Sequence, residues 1–402
     1  MRKETGYRIL AEGIQVSNNT LETHLNNNDM IIGSSGSGKT GGYVIPNIQI
    51  ITGSLVVSDT KSQLYKKFSK ELEKKGYEVK VLDFVNPERS CGYNPLSHIR
   101  RYRDGSFREQ DVLSLANNLI QDVAGNDEPI WHLSARSYVA FLISYCLENL
   151  SEEEQNLGTI CELNHAFSSP NGKVAFSDWI RQNPRSFASK KFREIEANKI
   201  ADKMWASILG FANVVLEPFE FREADYIFNG TNSIDLKDLG RKKTVLFLNV
   251  SDTDSTFDIL INILYYQVLQ NLCSLADDQP DGRLDVPVRI IMDDFAASAK
   301  IIDFDRIISV IRSRAISVSL VLQSLAQLNS MYGKSKDTII DNCDHIIYLG
   351  SQNIETANFI ATRAKKTPEN ILLMPYDYEY LLTKGEEAKM VKKVAPYSTI
   401  KK

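Results

Sequence analysis

Short apolar runs, each followed by a polar residue or glycine, recur along the chain and predict buried strands. The runs are rich in β-branched residues, as strands buried on both faces of a parallel sheet are. The runs and the residues that close them are Leu55–Val57 with Asp59, Val79–Leu82 with Asp83, Val245–Leu248 with Asn249, Val288–Met292 with Asp293, Ile316–Leu322 with Gln323, and Ile346–Leu349 with Gly350. Helical stretches such as Ser62–Lys75 lie between several of them. This alternation predicts a doubly wound α/β fold, in which ligands bind beyond the carboxyl ends of the strands.

The alternation stops between residues 99 and 231, where helical stretches take over. These stretches are Glu109–Val123, His132–Glu148, Leu157–Phe167, Lys191–Met204 and Trp205–Val215. We therefore expect an all-α domain (99–231) inserted into one α/β domain (25–98 and 232–402). Residues 1–24 contain short alternating pieces split by Gly13 and predict a small N-terminal β flap.

Length and composition narrow the class of protein. A chain of 402 residues is too long for one compact core and predicts two domains. A net charge of −4 excludes a polybasic nucleic-acid binder, although local basic faces are compatible with it. The five scattered cysteines form no CxxC pair, which argues for reduced thiols in a cytosol and against a zinc site.

No stretch of the sequence has the pattern of a signal peptide or a membrane span. The most apolar helical stretch, Phe257–Leu275, is interrupted by polar residues and predicts a soluble core helix. The C-terminal lysines Lys389, Lys392, Lys393, Lys401 and Lys402 are expected to be solvated.

The segment Gly33–Thr40, GSSGSGKT, matches the phosphate-binding pattern G-x-x-x-x-G-K-[ST]. Its glycines allow torsions that turn several N–H groups toward phosphate oxygens. In this pattern Lys39 contacts the β- and γ-phosphates and Thr40 ligates Mg²⁺. The residues assigned to nucleotide binding are Gly33, Ser34, Ser35, Gly36, Ser37, Gly38, Lys39 and Thr40. A Gly/Ser linker can match by chance, but the apolar strand Met30–Ile32 before the loop and a helix expected near Lys39 favour a P-loop.

A second motif, VRIIMDDF at Val288–Phe295, has the Walker B pattern of an apolar run closed by two acidic residues. Asp293 is expected to hold Mg²⁺ directly or through water, and Asp294 to orient the attacking water. The motif gains weight because it follows a P-loop in the same chain.

The order of these segments resembles the coupling proteins of type IV secretion and conjugation, the TraG-type relatives of the FtsK and HerA DNA translocases. The resemblance covers nearly the whole chain after about residue 28. It rests on GSSGSGKTGGYVIPNI (33–48), SLVVSDTKSQLY (54–65), GYEVKVLDFVNPERSCGYNPL (76–96), the surroundings of Pro129–Trp131, VRIIMDDFA (288–296) and VIRSRAISVSLVLQSLAQL (310–328).

The resemblance implies a RecA-like ATPase core with an all-α insertion, assembled as a hexameric ring. Such proteins use ATP and Mg²⁺ to move relaxase-bound single-stranded DNA, or protein substrates, into a secretion channel. By matching position, Lys39, Asp294, Arg312 and Gln323 are the catalytic candidates, Arg312 as an arginine finger and Gln323 as a γ-phosphate sensor. Arg314 is the alternative finger. The expected location is the cytoplasmic face of the cell membrane.

The chain also departs from the family pattern. Asp293-Asp294 stands where an Asp-Glu pair is usual, and a carboxylate set back by one methylene is expected to slow hydrolysis. Many members carry N-terminal membrane helices, and we expect none here. A partner protein could then supply the membrane anchor that brings the chain to the channel.

Two alternatives to a DNA motor stay open. One is a related ATPase that couples protein effectors to the channel. The other is a nucleotide-binding docking adaptor with little turnover. The size of the helical insertion disfavours a small-molecule kinase.

Overall fold

The computed structural model describes residues 6–60, 62–121, 130–197, 202–230, 232–293, 295 and 300–395. The chain divides into two compact units. The first comprises Met1–Val85, Asp235–Ser255 and Val268–Lys402, and the second Asn86–Ile234 and Thr256–Gln267. The first is α/β, whereas the described residues of the second form helices and no strand. The predicted mixture of a mainly parallel sheet with a helical region is confirmed.

The α/β unit is built on a nine-stranded sheet and a separate hairpin. Its strands, labelled in chain order, are β1 (Tyr7–Ala11), β2 (Ile14–Ser17), β3 (Asp29–Gly33), β4 (Ser54–Asp59), β5 (Glu78–Asp83), β6 (Thr244–Asn249), β7 (Val288–Met292), β8 (Ile316–Leu322), β9 (His345–Gly350), β10 (Tyr378–Thr383) and β11 (Lys389–Lys392). The sheet order is β11-β10-β9-β3-β8-β7-β4-β6-β5. β1 and β2 pair with each other in antiparallel orientation.

Each apolar run predicted as a strand lies in a strand, and the strands from β9 to β5 across the sheet are parallel. Every residue of β3, β4, β6, β7 and β8 is buried, which explains why their sequences read as continuous apolar runs. β10 and β11 extend the sheet in antiparallel orientation and were not predicted. The tyrosines and threonine of Tyr378–Thr383, followed by a turn at Gly385, are the signal that indicates them.

Short helices connect the strands of the α/β unit. They are Thr20–Thr23, Ile45–Gln49, Gln63–Lys74, Asp238–Arg241, Phe304–Val310, Leu325–Tyr332, Ser335–Asp341, Ile354–Ala364 and Pro368–Leu372. The helix Gln63–Lys74 buries Leu64, Phe68 and Leu72 in the apolar core that also contains residues of β4 and β6. Its lysines stand on the opposite, exposed face, as an amphipathic helix requires.

The helical unit contains the helices Glu109–Leu119, Ile130–Asn149, Leu157–Ser168, Pro170–Gln182, Phe187–Ala197, Asp202–Leu216 and Arg222–Phe228. Aromatic rings fill its core. Phe141, for example, lies 5.5 Å from Phe167 and 5.4 Å from Phe192 between ring centroids. Trp179 and Trp205 pack on Tyr145 and Tyr138, so both are core residues.

In this unit one helix was missed and one predicted break is wrong. The helix Pro170–Gln182 was not predicted, because its proline and glycine are typical of a turn. The helix forms because Ser169 caps it by accepting from the Gly172 N–H, and because the proline lies in the first turn, where it is tolerated. The predicted break between Met204 and Trp205 does not exist, since one helix, Asp202–Leu216, runs through both residues.

One helix in the described part of the chain, Asp258–Asp277, has the length and hydropathy of a membrane span. Some 72% of its most apolar window is buried inside the structure. This is the burial of a core helix, as the polar interruptions in its sequence predict.

Candidate nucleotide-binding site

The loop Gly33–Thr40 lies at the carboxyl end of β3, and β3 lies between β9 and β8 in the sheet. Gly36 and Gly38 have positive φ angles of 76° and 99°, which glycine adopts without steric cost. A π-helical turn, Lys39–Val44, follows the loop and leads into the helix Ile45–Gln49. The loop therefore has the strand–loop–helix context that a phosphate-binding loop requires.

Lys39 is folded into the loop that precedes it. Its Nζ donates hydrogen bonds to the carbonyl oxygens of Gly33 at 2.7 Å and Ser34 at 3.1 Å, and only 8% of the residue is exposed. Within the described residues, Ser37 Oγ is buried without a hydrogen-bond partner. A buried cation and an unsatisfied hydroxyl in one loop fit a phosphate group, which would give the Ser37 hydroxyl a partner and the Lys39 ammonium a counter-charge.

Thr40 and Asp293 meet although 253 residues separate them in sequence. Thr40 Oγ1 donates to Asp293 Oδ2 at 2.7 Å. Ser58, on β4, fixes the backbone at Asp293, because its Oγ accepts from the Asp293 N–H at 2.6 Å and lies 3.2 Å from the Asp293 carbonyl oxygen. A hydroxyl and a carboxylate this close suit Mg²⁺, which takes few protein ligands and completes its shell with phosphate oxygens and water.

The predicted catalytic carboxylate, Asp294, lies outside the described residues. The next residue, Phe295, is buried and packs against Phe304 and Tyr332, with ring centroids 5.2 and 5.7 Å away.

Gln323 emerges beside the P-loop. β3 and β8 are parallel neighbours, and Ile32 is paired with Leu322, so Gly33 and Gln323 leave the sheet side by side. The backbone N–H of Gln323 donates to the side chain of Gln327 at 3.1 Å. The structure therefore brings together the loop, Asp293 and Gln323 at the carboxyl edge of the sheet.

Arg312 lies at the opposite, amino edge. It precedes β8, whereas the P-loop follows the parallel strand β3. Its Nη2 donates to the carbonyl oxygens of His24 at 3.0 Å and Thr20 at 3.5 Å, at the end of the helix Thr20–Thr23. Arg312 is therefore not placed to touch the nucleotide of its own P-loop.

The rival finger, Arg314, has an acidic partner. Its Nε donates to Asp277 Oδ1 at 2.8 Å. Arg312 also lines a cavity of about 280 Å³ at the amino edge. Other polar residues of the cavity wall are Asn18, Thr20, Asn27, Lys243 and Arg289.

Two residues near the P-loop were missed by the sequence reasoning. Tyr376 donates its hydroxyl proton to the Gly36 carbonyl oxygen at 3.1 Å. Lys393 donates from Nζ to the carbonyl oxygens of Leu349 at 2.7 Å and Ser37 at 3.2 Å. The expectation that Lys393 is solvated is wrong, because the end of β11 carries it to the P-loop, whereas Lys389 and Lys392 are exposed as expected. Lys401 and Lys402 lie outside the described residues.

The polar residues that close β4, β5 and β6 have structural partners. The carboxylate of Asp59 accepts from the backbone N–H groups of Gln63 and Tyr65, at the start of the helix Gln63–Lys74. Asn249 donates to Asp83 at 2.5 Å. These contacts favour a role in ending the strands rather than in binding a ligand.

A buried ionic network supports β3 from its amino end. The Asp29 carboxylate accepts from Arg8 Nε at 2.9 Å, Arg289 Nη1 at 3.3 Å and the Tyr43 hydroxyl at 2.7 Å. Burial raises the pKa of Asp29, but the guanidiniums of Arg8 and Arg289 outweigh it and leave the pKa below its usual value. Because Tyr43 belongs to the turn that follows Thr40, the network fixes that turn against β3.

Comparison with known proteins agrees with this geometry. A family model described as "Type IV secretory system Conjugative DNA transfer" matches residues 12–367. Among curated proteins, the conjugal transfer protein TraG of Agrobacterium fabrum is 22% identical over 360 residues, covering 84% of this chain and 51% of TraG. Protein VirD4 of Rhizobium rhizogenes is 22% identical over 408 residues, covering 92% of this chain and 58% of VirD4. The chain thus spans between half and three fifths of the length of these relatives.

Solved structures show the same fold. The plasmid coupling protein TrwB in complex with ADP and Mg²⁺ superposes with a TM-score of 0.71 at 12% identity, over 99% of this chain and 91% of TrwB. At this identity the likeness establishes the fold alone.

Proposed function

The chain belongs to the type IV secretory system conjugative DNA transfer family, and we propose that it is an ATP-hydrolysing coupling protein that moves conjugative DNA into a type IV secretion channel. The observation that carries the proposal is the hydrogen bond from Thr40 to Asp293, which joins the two predicted Mg²⁺ ligands at the P-loop. The complex of the relative TrwB with ADP and Mg²⁺ supports ATP and Mg²⁺ as the ligands here.

In this proposal the carboxyl edge of the sheet carries the chemistry. The loop Gly33–Thr40 binds the phosphates through its N–H groups and the Lys39 ammonium. Thr40 and Asp293 hold Mg²⁺, which when bound neutralises phosphate charge. Asp294 orients the attacking water, and Gln323 contacts the γ-phosphate.

We assign Arg312 to the nucleotide of a neighbouring subunit. Its place at the amino edge keeps it from its own P-loop, and its planar charge is suited to stabilising the transition state of phosphoryl transfer. This role requires a ring, for which six subunits are proposed. The proposed partners are single-stranded DNA bound to a relaxase, the proteins of the secretion channel and a membrane-anchored protein at the cytoplasmic face of the membrane.

A steady-state ATPase assay with and without single-stranded DNA tests the function. We expect Mg²⁺-dependent hydrolysis that DNA stimulates and that Lys39→Ala abolishes with the melting temperature unchanged. Lys70→Ala, which removes an exposed lysine of the helix Gln63–Lys74, is the matched control and should keep full activity.

The alternatives give different results in the same assay. Hydrolysis that DNA does not stimulate, together with no DNA binding at low salt, would favour a motor for protein effectors. Nucleotide binding without turnover would favour a docking adaptor. If DNA binds, we expect low sequence preference and a steep loss of affinity with salt, because backbone phosphates supply the contacts.

A further inference from the structure

The P-loop has different neighbours on its two sides along the sheet. On one side lie β8 and β7, whose carboxyl ends carry Gln323 and Asp293. On the other side lie β9, β10 and β11. Mg²⁺ bridges the β- and γ-phosphates of a bound nucleotide. Since Asp293, one of its two proposed ligands, follows β7, the β9 side of the loop is left for the ribose and base.

The last two strands bring an aromatic ring and a cation to that side. β10 runs antiparallel to β9, with Tyr380 paired to Tyr348, so its first residues lie at the carboxyl edge. β11 ends opposite Tyr378, at the same edge. Tyr376 precedes β10 and Lys393 follows β11, and the hydrogen bonds of both to the P-loop place them beside the carbonyls of Gly36 and Ser37.

The geometry of this pair leaves one face of the ring open. Lys393 Nζ lies 4.8 Å from the centroid of the Tyr376 ring, in a cation–π contact that covers one face. Even so, 67% of Tyr376 is exposed, whereas aromatic side chains commonly bury a large area. The ring is held at its hydroxyl and on one face, and most of its surface remains exposed beside the loop.

We propose that Tyr376 is the stacking platform for the base of the bound nucleoside phosphate, and that Lys393 positions it. This inference rests on the proposed function, since it concerns the same nucleotide. Stacking uses the face of a base and not its hydrogen-bonding edge, so the platform accepts different bases. We therefore assign the site to nucleoside di- and triphosphates with purines favoured for their larger face, rather than to adenine alone.

Calorimetry with two Mg²⁺-bound ligands separates stacking from phosphate binding. One ligand is ADP, and the other is inorganic tripolyphosphate, which has no base. Tyr376→Ala should raise the Kd of ADP about tenfold, the scale of one lost stacking contact, and leave the Kd of tripolyphosphate unchanged. Tyr376→Phe keeps the ring and should bind ADP as the wild type does. Wild-type protein should bind GDP nearly as tightly as ADP.

A control variant and three outcomes decide the case. Tyr102→Ala, in the helical unit, removes another exposed tyrosine that lies against a cation, Arg108, and should change neither Kd. Equal weakening of ADP and tripolyphosphate by Tyr376→Ala would overturn the inference, because the ring would then only brace the loop. An unchanged Kd for ADP would overturn it too. Wild-type protein that is folded but binds neither ligand would instead contradict the proposed function.

Discussion

The carboxyl and amino edges of the central sheet differ in the polar side chains that a ligand could contact. At the carboxyl edge, the hydroxyl of Thr40, the carboxylate of Asp293 and the ammonium of Lys39 are set in loops around one point. At the amino edge, the charged side chains of Arg8 and Asp29 are buried and neutralise each other. The comparison teaches that the polar groups around the P-loop are placed for a ligand, whereas those around Asp29 fix the strands.

Arg312 is the exception at the amino edge. Its guanidinium is bound by backbone carbonyls of residues 20 and 24 and, within the described part of the chain, by no acidic side chain. Because neutral carbonyls do not offset the positive charge of a guanidinium, we treat the charge of Arg312 as available to a neighbouring subunit.

The largest effect is expected at the carboxyl edge, from Asp293→Asn. Removing the charge while keeping an oxygen for Thr40 should weaken Mg²⁺ binding and lower kcat by about 10³-fold at fixed Mg²⁺, equivalent to the several kcal/mol that a metal contributes. A Mg²⁺ titration of the ATPase rate measures this. Asp278→Asn, at an exposed position, is the control. A normal Mg²⁺ dependence in Asp293→Asn would remove Asp293 from the site.

At the amino edge the expected effect is on stability. Arg8→Met leaves the buried Asp29 with one guanidinium fewer and should lower the free energy of unfolding by about 3–5 kcal/mol. Since the folded pKa of Asp29 is depressed, its stabilising contribution is present above the unfolded pKa and is lost as the pH falls, so the deficit should shrink in acid. Urea unfolding at several pH values measures both, with the exposed Arg103→Met as control. A loss below about 1 kcal/mol would mean that the network is dispensable.

A smaller effect is expected from Glu379, a buried residue of β10. Burial raises its pKa to about 8, opposed by the charge of Lys393. Because the folded pKa exceeds the ordinary value of 4.5, stability from this group is complete below pH 4.5 and is lost as the pH rises through 8. Glu379→Gln should therefore match the wild type in acid and be more stable at pH 9. Melting temperatures measured from pH 4 to pH 9 test this, with Glu387→Gln, an exposed residue nearby, as the control. If the melting temperatures of Glu379→Gln and wild type differed by the same amount at every pH, the prediction would be wrong.

The sequence was sufficient for the parts of the site that depend on local pattern. The P-loop consists of contiguous residues, and the apolar run before Asp293 predicts a buried strand. Both the P-loop and Asp293 could therefore be found from the sequence alone. Gln323 could be placed at the carboxyl edge because it closes such a run. The helical character of the described residues of the second unit followed from the loss of alternation, although one helix was missed and one was predicted as two.

The remainder depends on which strands become neighbours, and a sequence does not state that order. Tyr376 and Lys393 reach the P-loop only because β10 and β11 are added antiparallel beyond β9. Arg8 and Arg289 meet at Asp29 only because a hairpin and β7 approach the same end of β3. Within the cluster of C-terminal lysines, the local sequence does not distinguish Lys393, which is partly buried, from Lys389 and Lys392, which are exposed.

The most direct test of the division between the edges is a subunit-mixing experiment. Arg312→Ala should bind ATP almost normally and lose about 10³-fold in turnover, and Lys39→Ala should be inactive. Arg314→Ala, which breaks the pair with Asp277, is the matched control and should stay active. Mixing Arg312→Ala with Lys39→Ala subunits should restore part of the activity, since an intact P-loop then meets an intact arginine of its neighbour. Mixed rings without any recovered activity, or a normal rate for Arg312→Ala alone, would contradict the account.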